Sequence, residues 1–371
     1  MKVWMGEGVR MDGLDFEHMR AALRLAVRGR GRTSPNPMVG AVVSDHLGVA
    51  GTGWHKGPGL PHAEREALHE AGDRARGATL YTNLEPCDHR GRTPPCTEAI
   101  LEAGIARVVV AMEDPDPQVR GKGLDRLRAD AVQVEVGAMA SEAHTLNVAY
   151  VTHRSRGRPM VIHKSAITLD GKTSAADGTS RWITGEAARL DAHRLRAISD
   201  AVGVGVGTVI ADDPMLSVRG VRSFKAPLRV IFDSSARTPP DAKVLSTDQQ
   251  TLVLVTEEAQ RSRVRKLESV GAEVIEMPHE GTRVSIKHAL DLLAVRGVMS
   301  FLVEGGPTLV SSFVVQELVD RHVIYLAPKL LGEGSGLLRG WSAQSIGGAR
   351  SLRIVSTRRF GDDLRVVAEP I

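Results

Sequence analysis

The chain has 371 residues, 42% of them hydrophobic and 25% charged, enough for two or three folded domains at roughly 150 residues each. Its net charge of +4 is only mildly basic, and with aromatic residues at 4% there is little material for stacking single-stranded nucleic acid, so no nucleic-acid partner is expected. No apolar run reaches the roughly 18 residues of a membrane span, and the opening "MKVWMGEGVRMDG" lacks the apolar stretch of a secretory signal, so a cytoplasmic protein with no membrane partner is expected. The basic clusters "RGRGR" (28–32) and "RSRGRP" (154–159) read as solvated loops.

Up to residue 150, helix and strand patterns alternate. "DFEHMRAALRLA" is an amphipathic helix, "MVGAVVS" a strand, a helix starts at His62, "ATLYTNL" is a strand, a further helix starts at Pro94, and "ARVVVAM" is a strand. A helical pattern over 138–151 then runs into the arginine-rich "THRSRGRP", closed by Pro159, which places a domain boundary between a first domain, 1–153, and a second, 158–371. The second half begins with the strand "MVIHKSAITLDGK" and its turn at Asp170 and Gly171. The helix "GEAARLDAHRLRAIS" follows, then the strands "DAVGVGV", "LRVIFDSS" and "TLVLVT", and "SFLVEGG" opening into the helix "PTLVSSFVVQEL". Both halves are α/β, without an internal repeat.

The only two cysteines, Cys87 and Cys96, fall in one segment, "EPCDHRGRTPPCTEAI", each directly after a proline; "PHAEREALHEAG" precedes it. In a reducing compartment such a pair points to metal or catalysis rather than to a disulfide. Thiolate and neutral imidazole are preferred zinc ligands, and a catalytic zinc keeps three protein ligands and an open position; His62, Cys87 and Cys96 supply that number. Each lies near an expected helix start, where unpaired amides favour a thiolate. Glu64, two residues beyond His62, is placed to take a proton from a water activated there and pass it to a leaving nitrogen. Two alternatives stay open on this reading: a closed zinc knuckle with His89 as fourth ligand, and a pair of buried free thiols. His55 and His69 read as ordinary surface or supporting histidines.

The triplet H-A-E at 62–64, followed by P-C and a second cysteine, resembles the signature of zinc-dependent cytidine deaminases, in which the glutamate is the acid/base and not a ligand. It departs from the P-C-x-x-C form, because eight residues separate Cys87 from Cys96. "PCDHRGRTPPCTEAI", "TSPNPMVGAVV" and "EDPDPQVRGKGL" together closely resemble the bifunctional riboflavin-biosynthesis deaminase-reductase family, from about Glu17 to the end of the chain. The resemblance implies a three-layer cytidine-deaminase-like domain followed by a dihydrofolate-reductase-like domain. It implies a small-molecule pyrimidine ribotide substrate, 2,5-diamino-6-(5-phosphoribosylamino)pyrimidin-4-one, deaminated at zinc, with Asn36 helping to hold the pyrimidine. One departure lies in "DRLRADAVQVEVG", which lacks the glycine the family carries before the strand.

No G-x-G-x-x-G opens the second half, and the glycines of "VGVGVGTV" are equally explained by tight packing. "LVEGGPTLV" is a strand, two glycines and a helix start, a place where backbone amides cradle phosphate. "HKSAITLDGKTS", "SRWITGEAAR", "GTVIADDPMLSVR" and "APKLLGEG" match the reductase half of the family in order. The resemblance puts Lys164 and Asp212 at the reaction centre. It lines the nicotinamide cofactor with Trp182, Thr208, Asp212, Ser234, Gly306, Pro307, Thr308 and Leu309. Arg196 and Arg219 are implied to hold the substrate phosphate, and Ser180, Leu216 and Glu304 to contact the rest of the substrate. NADPH rather than NADH, and a homo-oligomer, are implied in the same way. The rivals are a tRNA or nucleoside deaminase, disfavoured by the long insert and few aromatics, and a non-catalytic zinc module fused to a nucleotide sensor.

Overall fold

The computed structural model describes residues 11–91, 94–246 and 249–371. The chain forms two compact units divided between Gly157 and Arg158. Residues 1–10 of the stretch read for a targeting signal lie outside the described residues; among those described, no helix is long and apolar enough to cross a membrane.

The first unit opens with α1 (Gly13–Ala26), where Asp12 and Asp15 each accept the other's amide at 3.0 Å in a capping box. It continues with β1 (Gly40–Asp45), β2 (Gly48–Trp54), α2 (Ala63–Ala71), β3 (Thr79–Thr82), α3 (Cys96–Glu102) and β4 (Arg107–Val110). Then come α4 (Lys122–Ala129), β5 (Gln133–Val136), α5 (Ala140–Leu146) and α6 (Val148–Arg156). The sheet order is β2-β1-β3-β4-β5, with β1 antiparallel to both neighbours and β3, β4 and β5 parallel. Alternation across the strands sorts the helices into layers. Val42, Tyr81 and Val109 meet Met19, Ala22 and Leu23 of α1 and Ala143 of α5 on one face, while α2 lies against β2 on the other.

Close approach fixes α2. A β-carbon at Gly53 would stand 2.1 Å from the Ala63 carbonyl oxygen, and one at Gly51 would stand 2.2 Å from that of Ala67. These glycines let the helix backbone rest on the strand, and the helix carries His62 at its N-cap and Glu64 in its first turn. Gly53→Ala is predicted to lift α2, costing about 2 kcal/mol by overpacking and loosening metal binding. Thermal melts and metal content after dialysis read both effects, and no change in either would contradict this packing argument.

The helix read over 138–151 is two helices, α5 and α6, which meet at Asn147, and the second runs on to Arg156. Other local features also differ from the sequence reading. β2 was not anticipated, because three of its seven residues are glycine, which masks strand propensity. In the turn before β5, where the family's glycine is missing, Ala131 itself takes φ +62°, a left-handed conformation that costs an L-residue roughly 1–2 kcal/mol.

The second unit begins with β6 (Met160–Thr168), β7 (Lys172–Ala175), α7 (Glu186–Ile198), β8 (Ala201–Gly205), α8 (Val206–Asp212), β9 (Leu228–Phe232) and β10 (Thr251–Val255). After these come α9 (Arg261–Ser269), β11 (Glu273–Glu276), the short β12 (His279–Glu280) and β13 (Arg283–Val284), and α10 (Ile286–Val295). The unit ends with β14 (Ser300–Val303), α11 (Pro307–Val315), β15 (Arg321–Ala327), β16 (Gly334–Gly336), β17 (Leu352–Phe360) and β18 (Asp363–Pro370). Nine strands form one sheet in the order β11-β10-β9-β8-β14-β6-β15-β18-β17. Its pairings are parallel except at β18, which runs antiparallel to β15 and β17. The core on one face centres on Phe232, Phe301 and Phe313, with ring centroids 6.0 to 6.3 Å apart. The glycines of "VGVGVGTV" have two jobs. A β-carbon at Gly203 would come 2.3 Å from the Phe301 ring, and Gly205 caps α8, so the chain turns helical at Val206, where the strand pattern had run on.

Candidate active sites

In the first unit, His62 caps α2, Cys96 is the first residue of α3 and Cys87 lies in the loop leaving β3. The long spacing between the thiols is absorbed by a loop that returns to its origin. The Cys87 carbonyl accepts from the Cys96 and Thr97 amides at 3.0 and 3.2 Å, and Thr97 Oγ1 donates to Asp88 at 2.5 Å. His62 Nδ1 therefore stands 3.3 Å from Cys96 Sγ and 3.5 Å from Cys87 Sγ, and the three donor atoms lie within 4.8 Å of one another. Hydrogen bonding to Cys96, then to His62, pulls the Cys87 thiol well below its ordinary pKa, which readies a thiolate ligand.

Glu64 is 3% exposed and its Oε2 is buried without a hydrogen-bond partner; burial raises its carboxyl pKa. A buried orphan oxygen calls for an explanation, and a ligand at an open position of a three-donor zinc site gives one. Zinc fits this set by donor type and spacing. His89 lines the neighbouring cavity but does not belong to the donor cluster, so the described residues make an open site and not a closed knuckle.

The cavity here is about 440 Å³ and includes Asn36, His55, His62, Glu64 and Cys87. His55 Nδ1 lies 3.2 Å from the Pro61 carbonyl and its Nε2 3.0 Å from Asn36 Nδ2. A carbonyl only accepts, so Nδ1 carries the hydrogen, Nε2 accepts from Asn36, and Asn36 Oδ1 is left as an acceptor for a ligand. His55 is thus a buried orienting residue, 3% exposed, kept neutral by burial; no sequence pattern had marked it. His69 is exposed.

The facing wall was also unmarked. Glu85, the glutamate of "EPC", accepts from the Asp114, Gly121 and Gly123 amides at 3.1, 2.9 and 3.0 Å, tying that loop to the Cys87 segment. Asp114 accepts from the Tyr150 hydroxyl at 3.0 Å. Burial pushes its carboxyl up to about 6 against the lowering effect of the Asp116 amide and Tyr150. The folded chain then holds this proton more tightly than the unfolded one, so the cost of ionising Asp114 is absent below about pH 4 and complete above pH 6. Asp114→Asn is predicted to raise the melting temperature more at pH 8 than at pH 4, by up to about 3 kcal/mol of differential stability. Equal shifts at both pH values would contradict the burial argument.

In the second unit, residues distant in sequence converge. Lys164 on β6 has its Nζ 3.5 Å from Glu304 Oε2, just beyond β14. Arg196 of α7 holds both Glu304 oxygens at 3.0 Å and the Ser217 carbonyl at 2.6 Å. Burial would raise the Glu304 carboxyl, but Arg196 and Lys164 hold it at about 2; it stays ionised. Lys164, Trp182, Arg196, Leu216, Arg219 and Glu304 line one cavity of about 710 Å³. His193, unmarked in the sequence, lines it too and accepts the Arg219 amide at 3.3 Å.

Asp212, at the end of α8, accepts from Ser180 Oγ at 2.9 Å; neither residue is among those lining that cavity. The carboxylate partnering Lys164 is therefore Glu304, and three of the Arg196 N–H groups are engaged within the protein. Thr208 Oγ1 accepts the Gly306 amide at 3.0 Å, which sets the opening of α11, where Gly306 is the cap and Pro307, Thr308 and Leu309 form the first turn. A β-carbon on Gly306 would reach 3.3 Å from Thr208. That bare turn at a helix start fits a dinucleotide phosphate. Ser234 Oγ accepts the Val284 amide at 3.0 Å and has no described contact with Thr208 or Gly306.

An open His/Cys/Cys cluster over a buried glutamate belongs to zinc-dependent deaminases, and a charged cavity in a unit with a glycine-opened helix suits a dinucleotide-dependent reductase. The class is a two-domain deaminase-reductase. Residues 14–112 match the cytidine and deoxycytidylate deaminase zinc-binding region, and residues 159–366 match the RibD C-terminal domain. The riboflavin biosynthesis protein RibD of Aquifex aeolicus is 42% identical over 351 residues, 95% of this chain and 97% of that protein. The solved structure of Acinetobacter baumannii RibD gives a TM-score of 0.89 at 37% identity, covering 96% of this chain and 99% of that one. A diaminohydroxyphosphoribosylaminopyrimidine deaminase/5-amino-6-(5-phosphoribosylamino)uracil reductase from Thermotoga maritima gives 0.86 at 33%, with 96% and 99% covered. The chain belongs to the RibD family of riboflavin biosynthesis, and its two domains are cytidine-deaminase-like and dihydrofolate-reductase-like, in that order.

Proposed function

We propose that the chain deaminates 2,5-diamino-6-(5-phosphoribosylamino)pyrimidin-4-one and then reduces the ribosyl group to ribityl, giving 5-amino-6-(5-phospho-D-ribitylamino)uracil. Deaminase and reductase activities within riboflavin biosynthesis, with zinc for the first and NADPH for the second, come with the family. The observation that carries the proposed reaction is the His62, Cys87 and Cys96 cluster beside the unpartnered Glu64 oxygen.

Zinc held by these donors supplies Lewis-acid activation of water at neutral pH. Glu64, its carboxyl pKa raised by burial, takes the proton and delivers it to the 2-amino group as ammonia leaves. Asn36, turned by His55, accepts a hydrogen bond from the pyrimidine. In the second domain NADPH supplies hydride to C1 of the opened ribosyl group. Lys164 polarises the acceptor there, fixed by an ionised Glu304 that cannot itself donate a proton; Asp212, paired with Ser180 outside the lining of this cavity, takes no part in the proton transfer. Thr208, Ser234, Trp182 and residues 306–309 hold the cofactor; Arg219, with Arg196, Ser180 and Leu216, holds the substrate.

The working form is a cytoplasmic homo-oligomer with no nucleic-acid or membrane partner. Supporting the oligomer, β17 at the sheet edge exposes Ile354 at 63% and Val355 at 52%, an edge that monomers ordinarily cover. Mass spectrometry of the product from ribotide and NADPH tests the reaction. The ribitylaminouracil phosphate supports it, and recovery of unchanged ribotide with zinc bound would overturn it.

A further inference from the structure

We propose that Arg154 binds the phosphate of the ribotide in the deaminase site, a role that rests on the reading above. The ligand brings a phosphate carrying about −1.5 to −2 charges into a cavity walled by Glu64, Glu85, Asp114 and Asp116. Carboxylates repel such a group in a partly desolvated cleft, so the cavity needs a cation. Among the described residues that line it, Arg154 is the only arginine or lysine.

Arg154 is held but not saturated. Its guanidinium carbon sits 5.3 Å from the Tyr150 ring centroid, one helical turn back on α6, a spacing that puts the two on one face. Its Nε lies 3.3 Å from Asp116 Oδ2 yet has no hydrogen-bond partner among the described residues. Asp116 is itself fixed, its Oδ1 accepting from the Gln118 amide at 2.9 Å and its own amide donating to Asp114 at 2.9 Å. The aromatic ring and the carboxylate aim the guanidinium, and its fork of N–H donors matches phosphate oxygens. The "RSRGRP" cluster is accordingly not all solvated loop: α6 runs on to Arg156 and brings Arg154 to the cavity.

The test compares ammonia release from the ribotide and from its dephosphorylated riboside, in the full chain and in Arg154→Ala and Arg154→Lys. Arg154→Ala is expected to raise KM for the ribotide about 30-fold, in line with loss of a charge-assisted contact, and to leave riboside deamination as it was; Arg154→Lys restores part of the difference. NADPH-dependent reduction of supplied deaminated ribotide, unchanged in both variants, reports an intact fold. An unchanged ribotide KM, or equal losses on ribotide and riboside, would overturn the assignment while the proposed reaction stands. No ammonia from the ribotide with the unsubstituted protein would overturn that reaction, and this role with it.

Discussion

Glu64→Gln is expected to abolish ammonia release, slowing it by at least about 100-fold to 10,000-fold, the range of a general acid–base group. The amide keeps the shape of a side chain that is 3% exposed and removes only its capacity to accept and return a proton. Zinc content should therefore stay at the unsubstituted level, since the donors are His62, Cys87 and Cys96. NADPH-dependent reduction of supplied deaminated ribotide should also persist, because its residues lie in the other compact unit. Loss of zinc, or deamination above about a tenth of the original rate, would show that Glu64 is a ligand or a packing residue and not the proton carrier.

Lys164→Ala is expected to give the mirror result, with ammonia release intact and NADPH oxidation reduced by about 100-fold to 10,000-fold. Lys164 is the cation on β6 that reaches the cavity, 3.5 Å from Glu304. Removing it leaves Glu304 bonded to Arg196 through both oxygens, so the carboxylate remains paired and the cavity keeps its shape. The loss should then appear in kcat at saturating NADPH, with little change in cofactor KM. A loss confined to KM would mean that Lys164 only binds substrate, and a loss of both activities would undo the independence of the two sites.

The parts of these sites that were legible in the sequence are those set by residue type within a short segment. His62, Glu64, Cys87 and Cys96 declared themselves because zinc accepts few donor types; His62, Glu64 and Cys96 stand at helix starts as expected, whereas Cys87 lies in the loop leaving β3, and even the unusual spacing was harmless once the Cys87 carbonyl closed that loop. What the residue pattern alone could not show depends on convergence. Lys164, Arg196 and Glu304 were named through the family resemblance, but their pairing was not legible: Lys164 and Glu304 are 140 residues apart and Arg196 and Glu304 are 108 apart, and only the folded sheet and its helices make them neighbours. His55 and Asp114 act through buried hydrogen bonds that leave no spacing pattern. Among the strands, β2 was hidden by its glycines and β17, "LRIVSTRRF", by its charged and polar residues and near-complete exposure. A strand that buries neither face carries no alternation to read.

The most direct test of the central claim, that one chain performs deamination and reduction in succession, is to follow ammonia release and NADPH absorbance together after adding the diaminopyrimidine ribotide to the zinc-loaded protein. Ammonia is expected to appear first, with one NADPH then oxidised for each ammonia. Ammonia without NADPH oxidation would contradict the assignment of the second domain, and NADPH oxidation without ammonia would contradict both the zinc site and the order of the steps.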